Sequence, residues 1–148
     1  MADLLIIAHS PLASALRDVA RHVYPEQVHR IGVLDVGSDE SAEAVEQRLR
    51  SMLSAREGGV LILTDVFGAS PCNVALRLAD GVRSRVVAGV NVPMLWRALC
   101  YADEPLETLV NRAVAGANQG VMQLATTRPQ NQSHKATSDD PGLPHHQQ

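Results

Sequence analysis

Three residues of this chain have types and settings suited to moving a charged group. His9 follows the apolar run Leu4-Leu5-Ile6-Ile7-Ala8, and Asp65 follows Val60-Leu61-Ile62-Leu63-Thr64. Ser70 comes shortly after, in Val66-Phe67-Gly68-Ala69-Ser70-Pro71. A carboxylate bonded to Nδ1–H of a histidine fixes the ring's tautomer and leaves Nε2 as a base or nucleophile. Such charge-assisted bonds contribute about 1.5–3 kcal/mol. A serine at a helix start sits beside unpaired backbone N–H groups. Those donors and the helix dipole favour an anion, by about 0.3–1 kcal/mol on an exposed surface. Gly68 and Ala69 let the backbone approach a ligand closely. The set therefore offers a nucleophile in His9, its orienter in Asp65 and an anion cradle at Gly68, Ala69 and Ser70. Singly, each residue also has a plainer role: a strand-end histidine, a loop cap, a helix cap.

The surrounding pattern alternates short apolar runs with longer amphipathic ones. Leu4–Ala8 reads as a strand covered on both faces. Ser10-Pro11 opens a helix, with serine as N-cap and proline at N1, and Leu12, Leu16, Val19 and Val23 recur along it at helical spacing. A second strand is expected at Val28–Val36 and a second helix from the Gly37-Ser38-Asp39 loop to about Arg56. Val60–Leu63 forms a third strand, and Ser70-Pro71 starts a helix running to about Asp80. Arg83–Val90 is a fourth strand, Pro93 starts a helix reaching about Ala102, and Leu106–Asn118 is a fifth helix. Four repeats of strand and helix predict an α/β fold, an open, doubly wound, mainly parallel sheet flanked by helices. Ligands of such sheets bind outside the carboxyl ends of the strands, at the topological switch point. In the flavodoxin-like order 2-1-3-4 that point lies between strands one and three. His9 and Asp65 would then face each other across one crevice.

Composition limits the function classes. The 148 residues are 45% hydrophobic and 20% charged, enough for one domain with its own core. A net charge of −3 argues against a duplex-binding face, so no nucleic-acid partner is expected. No apolar run approaches the ~18 residues of a membrane span. Met1-Ala2-Asp3 lacks the basic stretch of a secretory signal, which predicts a cytoplasmic chain. Cys72 and Cys100 form no metal-spaced pair. The chain has neither G-x-G-x-x-G nor a P-loop, so no metal and no cofactor are expected. Domain bounds are set at 1–126, with a polar tail at 127–148 rich in Gln, Asn, Ser, Pro and His that is expected to be disordered.

Three segments carry a resemblance: Ile6-Ile7-Ala8-His9-Ser10-Pro11-Leu12-Ala13, then Leu63-Thr64-Asp65-Val66-Phe67-Gly68-Ala69-Ser70-Pro71-Cys72-Asn73, then Val87-Ala88-Gly89-Val90-Asn91-Val92-Pro93-Met94-Leu95. In this order and at these spacings they resemble the mannose-type IIA component of the bacterial phosphoenolpyruvate:sugar phosphotransferase system (PTS), over about residues 3–125. The resemblance implies a phosphotransferase in which His9 accepts a phosphoryl group from the phosphohistidine of the carrier HPr. It implies that Asp65 orients the ring, that Ser70 contacts the phosphoryl group, and that a IIB component is the next acceptor. A membrane would be met only through a permease complex. It also implies a homodimer, in which a C-terminal strand is often exchanged; Gly120–Thr126 is the candidate segment. Ser10 and Ala69 stand where the family often has glycine, and Cys72 where it often has a larger residue. Phe67 keeps an aromatic position.

Other readings differ in class. A regulatory module controlled by its phosphorylation state would share these motifs, as would a phosphoryl-donor subunit for a dihydroxyacetone kinase. A Ser70–His9–Asp65 hydrolase is disfavoured because Gly68-Ala69-Ser70-Pro71-Cys72 lacks the last glycine of G-x-S-x-G. A flavin or nucleotide module is disfavoured by aromatic content of only 3%.

Overall fold

The computed structural model describes residues 1–126; the tail expected at 127–148 lies outside the described residues. Its elements in order are β1 (Asp3–His9), α1 (Leu12–Val23), a 3-10 helix (Pro25–Arg30), β2 (Ile31–Val36), α2 (Ala42–Ser54), β3 (Val60–Thr64), α3 (Ser70–Leu78), β4 (Ser84–Ala88), α4 (Val92–Cys100) and α5 (Leu106–Gln119). The four strands form one sheet of order β2-β1-β3-β4. All pairs are parallel, with Ile6 opposite Val33 on one side and Leu63 on the other. The expected doubly wound sheet is therefore present, with its switch point between β1 and β3.

Both faces of the sheet are covered, which explains the unbroken apolar runs of β1 and β3. Leu4, Ile6 and Ala8 of β1 pack with Leu61 and Leu63 against α1, α4 and α5. Leu5 and Ile7 alternate to the other face and pack with Ile62 against Val45 and Leu49 of α2 and Val74 and Ala75 of α3. Gly116 lets α4 and α5 approach closely. A Cβ there would lie 2.6 Å from the Cβ of Arg97.

Two local expectations need correction. Strand two starts at Ile31, not Val28, because Pro25 begins a 3-10 turn that runs through Arg30. Val28 is buried from within that turn, so its apolar signal comes from packing rather than pairing. His29, within the expected strand, accordingly sits in the 3-10 helix. Ser10 does not cap α1. Its N–H donates to Val36 O at 2.9 Å and so continues the β1–β2 ladder. The helix begins at Leu12 with no side-chain cap of its own. The cap comes instead from β2: Asp35 accepts from Ser14 N–H at 3.1 Å and also from the Ser14 hydroxyl. Residues 121–126, within the segment expected to be exchanged, have no regular secondary structure, and Val121, Met122 and Leu124 are exposed.

Candidate functional site

His9 is the last residue of β1, and Asp65 follows directly on β3, the neighbouring strand. Parallel pairing brings both to the same end of the sheet. His9 Nδ1 lies 2.7 Å from Asp65 Oδ2, and the His9 backbone N–H donates to the same oxygen at 2.9 Å. Asp65 Oδ1 accepts the Val66 N–H at 2.8 Å. The backbone carbonyls beside it are tied to the next strand end, with Gly89 N–H donating to Asp65 O at 2.9 Å and Val90 N–H to Thr64 O at 3.0 Å. The carboxylate is thus fixed from both sides.

The electrostatics follow from these bonds. Burial pushes the Asp65 carboxyl up, but the backbone N–H of His9, its ring and the Val66 N–H together outweigh burial. The result lies below the ordinary value of 3.8. An ionised carboxylate only accepts, so in the neutral ring the proton sits on Nδ1 and the Nε2 lone pair is free. The Asp65 side chain is 10% exposed while that of His9 is 53% exposed. The orienter is sheltered, and the ring it holds is open to solvent.

A cavity of about 290 Å³ adjoins the ring, lined by His9, Gly37, Ser38, Glu40, Ser70 and Val74 among others. Ser70 reaches it through a turn that the sequence dictates. Gly68 adopts φ +92°, a conformation L side chains rarely take, with open space where a Cβ would project. Ala69 N–H donates to Val66 O at 3.4 Å, closing the turn. Ala69, not Ser70, is the N-cap of α3, and no side chain caps that helix. Ser70 is its first residue and Pro71 its second, so the serine hydroxyl is not consumed as a cap. The first-turn N–H groups of Ser70 and Cys72 have no carbonyl within the helix to bond.

His9, Asp65 and Ser70 are therefore brought to one place, with Gly68 and Ala69 forming the turn between them. Two elements of the site escape a motif reading. The far wall of the cavity is the loop Gly37–Ser41, pinned by Glu40, which accepts from Gly37 N–H at 3.0 Å and is paired with Arg48. Asp35 anchors the start of α1; its signal was a carboxylate set among the apolar residues of a strand. Cys72 is buried and Cys100 exposed, and both are free thiols.

Known proteins resemble this chain in sequence and in fold. A family model described as the PTS system fructose IIA component matches residues 3–114. The chain is 33% identical over 126 residues to the PTS system mannose-specific EIIAB component of Escherichia coli (strain K12), covering 82% of this chain and 39% of that protein. It thus spans about two fifths of that relative's length. It is 28% identical over 123 residues to the PTS system fructose-specific EIIA component of Bacillus subtilis (strain 168), covering 80% of this chain and 84% of that one. The fold is similar to the crystal structure of phosphotransferase system component EIIA from Streptococcus agalactiae, with a TM-score of 0.76, 21% identity and coverage of 83% and 97%. The PTS IIA protein associated with the fucose utilization operon of Streptococcus pneumoniae gives a TM-score of 0.71 at 26% identity, with coverage of 82% and 92%.

Proposed function

The chain belongs to the mannose- and fructose-type IIA family of the phosphotransferase system, and we propose that it is a phosphocarrier that takes a phosphoryl group from phospho-HPr on Nε2 of His9 and passes it to a IIB component. The observation that carries this reading is the 2.7 Å contact of His9 Nδ1 with Asp65, made at a strand end whose ring remains exposed.

The Nε2 lone pair attacks phosphorus in line. The donor's N–P bond breaks, and its electron pair returns to the donor imidazole. The phosphorylated His9 ring gains positive charge, which the Asp65 carboxylate balances through Nδ1–H. The Ser70 hydroxyl and the first-turn N–H groups of α3 receive the phosphoryl oxygens. Positioning and fixed dipoles supply the catalysis, and the exposed ring suits a group that must be handed from one protein to the next. The same events in reverse order, with the IIB nucleophile attacking, discharge the carrier. The reading includes a homodimer acting in the cytoplasm. Among the described residues no helix is long and apolar enough to cross a membrane.

Intact mass after incubation with phosphoenolpyruvate, Enzyme I and HPr tests the proposal. The expected result is a gain of one acid-labile phosphoryl group, dependent on HPr and absent in His9→Ala. A folded chain that gains nothing from competent HPr, or a His9→Ala variant that still becomes labelled, would overturn it.

A further inference from the structure

The turn that carries the anion cradle also carries the chain's single phenylalanine. Phe67 sits between Asp65 and the left-handed Gly68, in the turn closed by the Ala69 N–H to Val66 O bond. It is 79% exposed, and its neighbour Val66 is 55% exposed. Neither belongs to either core cluster. On the other side of His9 along the chain, Leu12 at the start of α1 is 36% exposed. Apolar side chains that flank a reacting group and do nothing for the core are free to be buried by something else.

Transfer from a protein donor dictates what covers them. Phosphorus must come in line to about 3–3.5 Å from Nε2. The donor's surface is then pressed against the residues around His9. Resting on the phosphocarrier reading, we propose that Phe67, flanked by Val66 and Leu12, is the apolar anchor on which the phosphoryl-donor protein docks. The ring is buried in the transfer complex and sets the donor's affinity, not the chemistry at Nε2. Buried aromatic residues commonly dominate such contacts. The cavity beside His9 is lined by Ser38, Glu40 and Ala42 of the stretch leading into α2. Asp39 and Glu43, next to these residues in the chain but outside the lining, are exposed and make no ion pair among the described residues. The donor face that fits is therefore apolar around its phosphohistidine, with cationic groups at its rim.

A small phosphoryl donor separates docking from chemistry. Phosphoramidate in its N-protonated form delivers its phosphoryl group to Nε2 as its own P–N bond breaks with the electron pair on nitrogen and neutral ammonia leaves, and it needs no protein surface. For full-length Phe67→Ser, KM for phospho-HPr should rise about tenfold or more. Its kcat at saturation should stay within about twofold, and the rate of labelling by phosphoramidate should be unchanged. Phe67→Trp should restore the affinity. An unchanged KM for phospho-HPr in Phe67→Ser would overturn the anchor, as would an equal loss with both donors, which would mean that the turn itself is needed for the chemistry. If the unaltered chain accepts phosphoryl from neither donor, the phosphocarrier reading fails and the anchor falls with it.

Discussion

Asp65 meets three N–H groups at once, and this makes the histidine's tautomer a matter of structure rather than of chance. One oxygen accepts from the ring and the backbone of His9, the other from Val66. Asparagine has nearly the same shape, yet its NH₂ group can donate to Nδ1 and place the proton on Nε2, where the nucleophilic lone pair should be. Asp65→Asn is therefore expected to leave the fold intact while slowing phosphorylation by about 10²–10⁴-fold. Rapid-quench kinetics beside far-UV dichroism would check this, and an unchanged rate would remove Asp65 from the mechanism. The lowered Asp65 pKa also fixes a direction for pH. Its contribution to stability is fully present above the unfolded value near 3.8 and is lost as pH falls through the lower folded value. In Asp65→Asn that acid-side part of the loss should be missing. His9 and Asp65 were legible in the sequence because each ends an apolar run, and Ser70 because it precedes a proline at a helix start. The double use of one carboxylate oxygen was not, since it depends on where the backbone of one strand passes the end of another.

At the scale of elements, the strands followed from the apolar runs, because a two-sided parallel sheet demands continuous burial. Their order did not, since a sequence shows no strand neighbours and the order 2-1-3-4 came from the flavodoxin-like arrangement. The errors fall where a backbone donor had a choice of partner. Ser10 has the right side chain for a cap, but its N–H is taken by Val36 and the helix starts after it. Val28 has the right side chain for a strand, but Pro25 commits the segment to a 3-10 turn. Neither choice is visible from propensity alone. The compensation for Ser10 lies across the sheet edge, in Asp35. Through Ser14 it holds the first turn of α1, and with it the peptide that follows His9. Asp35→Ala removes that cap and should lower stability by about 1–2 kcal/mol. Asp35→Asn, which keeps an acceptor for the Ser14 N–H, should cost less. Urea unfolding of the two variants would measure the difference. Equal stability of Asp35→Ala and the unaltered protein would show that water satisfies the helix start as well as the carboxylate does.

At the scale of the whole molecule, the sheet has an edge that is unpaired among the described residues. Among the described residues β4 pairs only with β3, which leaves its outer row of N–H and C=O groups open to another strand. A cavity of about 260 Å³ runs beside it, lined by Val87, Gly89, Asn91, Val114 and Val121 among others. Beyond α5, Val121, Met122 and Leu124 are 73%, 64% and 72% exposed and lie in no strand or helix among the described residues. An edge without a strand and an apolar segment without a sheet are complementary needs. Exchange of residues 120–126 between two subunits, as the homodimer reading has it, would meet both. It would also explain why the apolar pattern of that segment is too weak to mark a strand by itself, since a strand that pairs only across a subunit boundary gains its burial from another copy. The expected outcome is a dimer for the full chain in light scattering coupled to size exclusion. A full-length variant carrying Val121→Asp and Leu124→Asp, which places a carboxylate on each face of the segment, should become monomeric while its dichroism spectrum is kept. A full chain that stays monomeric at high concentration, or a doubly substituted chain that stays dimeric, would show that the β4 edge is covered in some other way.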